Sequence, residues 1–297
     1  MTSLKIFIKR NVKLFFKDKM MFFTALITPG ILLVLYATFL GNVYTNSFTD
    51  NLPPNIVSDE LIDSLVAGQL ISSILAVSCV TVAFCSNFLM VQDKASGRIK
   101  DIRIAPVSSP VLSLGYYISS LFATLIICLV SAALCFGYMA IVGWYLTVSD
   151  VLFIILDVFL LSFFGTALSS VVNFFLSTEG QISAVGSIIS AGYGFICGAY
   201  MPISSFGGGL QKAVMFLPGT YGTSLLRNHA TRVVFEEMEK DGLPSDVITL
   251  LKDSIDANLY FFDKEVSTLT MYLILGGAVL LLVAAYILMN ALKKKEK

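Results

Sequence analysis

Six stretches of this 297-residue chain, residues 20–40, 66–91, 111–142, 151–176, 182–203 and 268–292, are apolar almost throughout. The hydrocarbon core of a bilayer is about 30 Å thick and takes about 20 helical residues to cross, so each run is long enough to span it. Inside hydrocarbon a segment must satisfy its own backbone hydrogen bonds, which makes each run a helix. Composition agrees: 13% of residues are charged and 56% hydrophobic, with a mean hydropathy of +0.83, against roughly 25% charged in a soluble domain. The expected fold is an all-α integral membrane protein, one transmembrane domain over residues 1–297.

Charge placement orients the spans. Residues 1–19 carry six basic and one acidic group, residues 92–110 four and two, and residues 293–297 four and one. On the other side, residues 41–65 hold four acidic groups and no basic one, and residues 143–150 only Asp150. Lysine and arginine concentrate in short cytoplasmic segments, so both termini are expected to be cytoplasmic in a multi-pass protein of the plasma or inner membrane. Residues 204–266, with six basic and nine acidic groups, fall outside, and a loop of that length escapes the charge rule. Twenty basic and twenty acidic residues cancel, leaving no net field to attract nucleic acid.

Residues 4–17 read as an interfacial helix, with Leu4, Phe7, Ile8, Val12 and Phe15 on one face and Lys9, Arg10, Lys13 and Lys17 towards lipid head groups. Its alternative is a basic flank that happens to be helical. The apolar run that follows is too long for a cleaved signal peptide. In the outer loop, the glycine-rich residues 207–226, broken at Pro218-Gly219, read as a re-entrant hairpin, tolerable only where neighbouring helices bury its backbone. Residues 229–240 and 245–257 then read as two short cap helices, the second burying Val247, Leu250, Leu251 and Ile255.

Chemistry-bearing motifs are sparse. There is no GxxxxGK[ST], HExxH, EF-hand loop or GxSxG, so the chain has no P-loop and no recognisable catalytic apparatus. Five cysteines, all in apolar runs, and a single histidine, His229, support neither disulfides nor a zinc site. Asp157 lies inside the fourth apolar run. Intramembrane carboxylates face a cavity or a partner, so Asp157 either lines a transport path or carries a proton, or else the span begins later and Asp157 sits among head groups. Gly186, Gly192, Gly194 and Gly198 in the fifth run permit close packing or local unwinding. Trp144 and Tyr145 read as interfacial anchors.

The charged island between the second and third runs, QDKASGRIKDIRIAPVSSP, residues 92–110, places Ala95, Ile99 and Ile102 at helical spacing before Pro106. Its pattern of Asp93, Gly97, the apolar-basic residues 98–104 and Pro106 resembles the loop after the second span in membrane subunits of type-2 ABC exporters, where Glu and Gly-Thr are commoner at the start. Met201-Pro202-Ile203 through Phe216-Leu217-Pro218-Gly219-Thr220-Tyr221 to Leu226-Arg227 is similar to that family's outer re-entrant run. The resemblance covers the whole chain. It implies that residues 92–110 form a coupling helix seated on a separate ATPase subunit, with Asp93, Gly97, Arg98, Arg103 and Pro106 as coupling residues and Glu179, in the turn 177–181, as a second contact. It also implies two permeases, identical or closely related, with two ATPases, export of cargo, and ATP used only by the partner, so that this chain binds no cofactor. Two other readings stand beside it: an ion-coupled secondary transporter using Asp157, and a non-transporting immunity or assembly protein whose outer cap binds a partner. Few polar groups in the spans favour an amphipathic or lipid-like cargo.

Overall fold

The computed structural model describes residues 2–35, 57–104 and 108–292, with a few single positions between 38 and 48. Helices occupy nearly all of it: α1 Thr2–Lys17, α2 Lys19–Leu35, α3 Asp59–Ala95, α4 Arg98–Ile104, α5 Ser109–Val142, α6 Val148–Phe175, α7 Glu179–Ile196, α8 Gly208–Val214, α9 Pro218–Lys240, α10 Ser245–Ser254 and α11 Thr268–Leu292. A hairpin of β1 Tyr260–Phe261 and β2 Lys264–Glu265 precedes α11. Among the described residues four helices, α3, α5, α6 and α11, are long and apolar enough to cross a membrane. The other two expected spans appear as shorter helices, α2 described over 17 residues and α7 over 18.

The central element is α3, buried along nearly its whole length and packed against α2, α5, α6, α7 and α9. Small residues allow the closest approaches. A Cβ on Gly165 of α6 would lie 2.8 Å from the Cys79 carbonyl oxygen, and one on Gly68 of α3 would lie 2.8 Å from that of Ala230 in α9. The cysteines are free thiols, four of them fully buried.

Several boundaries differ from expectation. Helix α7 stops at Ile196 rather than continuing to 203, because Gly198 adopts φ +73°. The amides of Ala199 and Gly198 donate to Gly194 and Phe195, the Schellman arrangement that closes a helix on a left-handed glycine. The expected pause at Pro218-Gly219 is a helix start: proline at the first helical position lacks only an N–H that would be unpaired anyway. The second limb of the expected hairpin and the first cap helix are therefore one 23-residue helix, α9. In the cap, Ile248, Leu251 and Ile255 are buried, while Leu250, about 100° round the helix from Leu251, is exposed.

The expected stripe of Ala95, Ile99 and Ile102 is also broken. Ala95 ends α3, and Gly97 at φ +76° separates it from α4. Helix α1 docks on α5, with Phe7 edge-on to Tyr116 and Phe15 and Asn11 buried. Arg10 leaves the basic face and turns into the protein.

Candidate functional site

Buried carboxylates gather polar partners from other elements at Asp93, Asp157 and Asp256. The first lies at the end of α3 next to α4. Asp93 is fully buried and accepts hydrogen bonds from Arg10 Nη1 (2.8 Å), Arg10 Nη2 (3.1 Å) and the Tyr116 hydroxyl (2.8 Å). One carboxylate thus ties α1 and α5 to α3, and the charge-assisted bonds raise the Arg10 pKa further above its ordinary value. The next residue, Lys94, donates from Nζ to the carbonyls of Asn173 and Phe174 (both 2.8 Å) and Leu176 (3.0 Å). An ammonium group satisfying the last carbonyls of α6 caps that helix end and complements its dipole.

Of the residues expected in coupling, the structure brings Asp93 and Arg98 together, with Arg98 Nη1 3.9 Å from Asp93. The Arg98 side chain is 62% exposed, and the space around Gly97 is open. Asp93 presents no surface; it is the buried root of the loop. Arg103 lies in α4, its side chain outside the described residues, and Pro106 lies outside them entirely. Glu179 is exposed in the first turn of α7, beside a capping box of Thr178 and Gln181. Sequence reasoning missed Arg10, Tyr116 and Lys94 as partners; Lys94 was visible in the island only as a charge.

The second junction contains Asp157. Helix α6 begins at Val148 behind a Thr147–Asp150 capping box, earlier than drawn from the sequence, and Asp157 lies well inside it. Asp157 is fully buried; one carboxylate oxygen pairs with His229 Nδ1 and the other accepts from the Tyr272 hydroxyl, both at 2.6 Å. His229 stacks on Phe153, ring centroids 5.0 Å apart. This network joins α6, α9 and α11. Asp157→Ala strands the imidazole and the phenol and is expected to cost about 1–3 kcal/mol. Asp157→Asn still accepts from Tyr272 and is expected to cost less, as read from denaturant unfolding of the two purified variants.

The third junction is the most deeply buried. Arg227 of α9, 1% exposed, pairs through Nη1 with Asp256 at 3.1 Å, and through Nη2 reaches the Gly198 carbonyl and Ser73 Oγ. Asp256, held at φ 54°, also accepts from the Ile203 amide at 2.8 Å. Five residues further along α9, Arg232 pairs with Asp150 through Nε (2.7 Å) and Nη2 (2.8 Å). Helix α9 is thus a polar strut inside an apolar bundle, with Arg227, His229 and Arg232 each matched to a carboxylate from another element.

A helical bundle with, among the described residues, four helices able to span a membrane and with internally paired charges defines a multi-pass membrane protein. The family model for the ABC-2 type transporter matches residues 2–229. The chain belongs to that family, and it is a membrane permease of ABC-2 type that carries no ATPase motif of its own. No curated protein matches it.

Proposed function

We propose that this permease is the membrane half of an ATP-driven exporter, working as a pair of copies and coupled through residues 92–110 to a separate ABC ATPase that binds and hydrolyses the ATP. Six spans with both termini cytoplasmic complete the topology, in the plasma or inner membrane. The observation that carries this reading is the grip at the end of α3. Asp93 and Lys94 fix the root of the loop to α1, α5 and the end of α6, while Gly97 and the exposed Arg98 project beyond it. A push on α4 by a partner would reach three helices through two adjacent side chains. Glu179, following the helix end that Lys94 caps, lies where a second contact would act on the same end of α6.

The carboxylate of Asp157 has protein partners on both oxygens, which favours a structural role over ion binding. The test is reconstitution with a P-loop ATPase that copurifies with the permease. Gly97→Val forces a β-branched residue to φ +76°, a conformation close to forbidden for it. It is expected to abolish transport while ATP hydrolysis continues. Transport driven by an ion gradient with no ATPase present, and lost in Asp157→Asn, would replace this reading with a secondary transporter.

A further inference from the structure

Between the end of α1, the end of α3 and the start of α4 lies a cavity of about 260 Å³ lined by Leu14, Lys17, Asp18, Leu89, Gln92 and Arg98. Its lining has two chemistries. Leu14 and Leu89 give it apolar walls; Lys17 and Arg98 bring two positive charges, and Gln92 an uncharged amide. Asp18 offsets part of that charge, but it has interactions of its own within the protein. Arg98 has five N–H donors to place, and its contact with Asp93 is at 3.9 Å, because both Asp93 oxygens are already taken by Arg10 and Tyr116.

We infer that this cavity binds the phosphodiester head group of an anionic inner-leaflet phospholipid, held by Lys17 and Arg98 with its glycerol against Leu14 and Leu89. A phosphate oxyanion matches guanidinium and ammonium donors, and basic pockets between helices at the cytoplasmic surface suit acidic lipid head groups. The apolar surroundings favour a lipid over a free phosphate. Immediately after Asp18, the exposed side chains Phe23, Ile27, Ile31 and Val34 recur every three or four residues down α2, a greasy stripe along which acyl chains can lie. Occupancy would bridge α1 to α4 and so tie membrane charge to the position of the coupling loop.

The inference rests on the reading that this end of the bundle lies at the inner head-group layer; its test needs no ATPase, so failure of the coupling proposal would leave it standing. The full-length permease is purified from vesicles of phosphatidylcholine with a minor fraction of phosphatidylglycerol, and retained lipid is counted by native mass spectrometry. Phosphatidylglycerol is expected to be retained in preference. Lys17→Gln should weaken that preference about fivefold, the worth of one basic group at an anionic lipid. Lys17→Arg should preserve it, and Lys5→Gln, which removes an equal charge on α1 outside the cavity, should leave it unchanged. Equal retention of the two lipids, or equal loss in Lys5→Gln, would overturn the site. Complete displacement of phosphatidylglycerol by millimolar glycerol 3-phosphate would identify a soluble phosphate ligand and overturn the lipid.

Discussion

Arg227→Met is expected to cost the folded permease about 3–5 kcal/mol, the range for breaking a buried ion pair by removing one partner. The loss comes less from the 3.1 Å contact than from what stays behind. Asp256 is 4% exposed and would keep its carboxylate in the interior with only backbone amides, those of Ile203 and Ser204, for support. Removing the charge as well should recover most of the stability. Asparagine at 256 tolerates the left-handed backbone found there and still accepts from Ile203, so Arg227→Met with Asp256→Asn should be far closer to the parent than Arg227→Met alone. Acidity should help the single variant too. Burial pushes the Asp256 carboxyl above its usual range, and Arg227 opposes that shift; without Arg227 it rises further. A folded-state pKa raised above the unfolded value near 3.9 favours the folded state when the group is protonated, and that advantage is lost as pH rises through the raised value. The deficit of Arg227→Met relative to the parent should therefore be smaller at pH 5 than at pH 8. Denaturant titrations in mixed micelles at both pH values test this. A deficit that is the same at both, or a double variant no better than the single, would mean that Arg227 acts by packing its long side chain rather than by charge.

Arg227 also illustrates what the sequence could and could not reveal. Apolar runs dictate helices by solvent chemistry alone, so α5, α6 and α11 begin and end within a few residues of runs 111–142, 151–176 and 268–292. Helix α3 starts seven residues before its run because Ser58 caps it and Asp59 and Glu60 complement its first turn, a polar extension that hydropathy passes over. Helix α9 was harder. Its first part reads as a limb of a re-entrant hairpin and its second as a short cap helix, yet it is one continuous helix with fifteen buried residues. What makes that burial possible is a set of carboxylates on other elements: Asp256 is 29 residues from Arg227, Asp157 72 from His229 and Asp150 82 from Arg232. Helical periodicity reports only on neighbours three and four residues away, so pairings at such separations leave no local trace. Asp93 stands out in the sequence only through the family resemblance, as a coupling residue, and its burial leaves no local trace for the same reason. Within residues 92–110 it looks like one more surface charge, and only Arg10, 83 residues earlier, makes it an internal anchor.

That anchor leads to an ordering of effects that a surface role for Asp93 would not produce. Arg10→Ala is expected to be more destabilising than Asp93→Ala, although both break the same pair. Removing Arg10 leaves a carboxylate with no exposure of its own, supported by Tyr116 and by Arg98 at 3.9 Å; the cost should be about 3 kcal/mol. Removing Asp93 leaves a guanidinium that is already 31% exposed and can turn to water, so the cost should be about 1–2 kcal/mol, mostly the stranded Tyr116 hydroxyl. The two variants should also differ in coupling. In Arg10→Ala the buried charge draws Arg98 inward from its exposed position, so α4 is pulled onto the bundle and transport per ATP hydrolysed should fall more steeply than stability alone would explain. Adding Arg98→Ala removes the substitute cation. The combined variant should lose more stability than the sum of the two single changes, a coupling that independent surface charges do not show. Unfolding midpoints of the parent, the three single variants and the combined variant, with transport and ATP hydrolysis measured side by side, decide the matter. If Asp93→Ala proves the costlier change, the anchor is the Tyr116 hydrogen bond rather than the ion pair, and Arg98 has no inward position to move to.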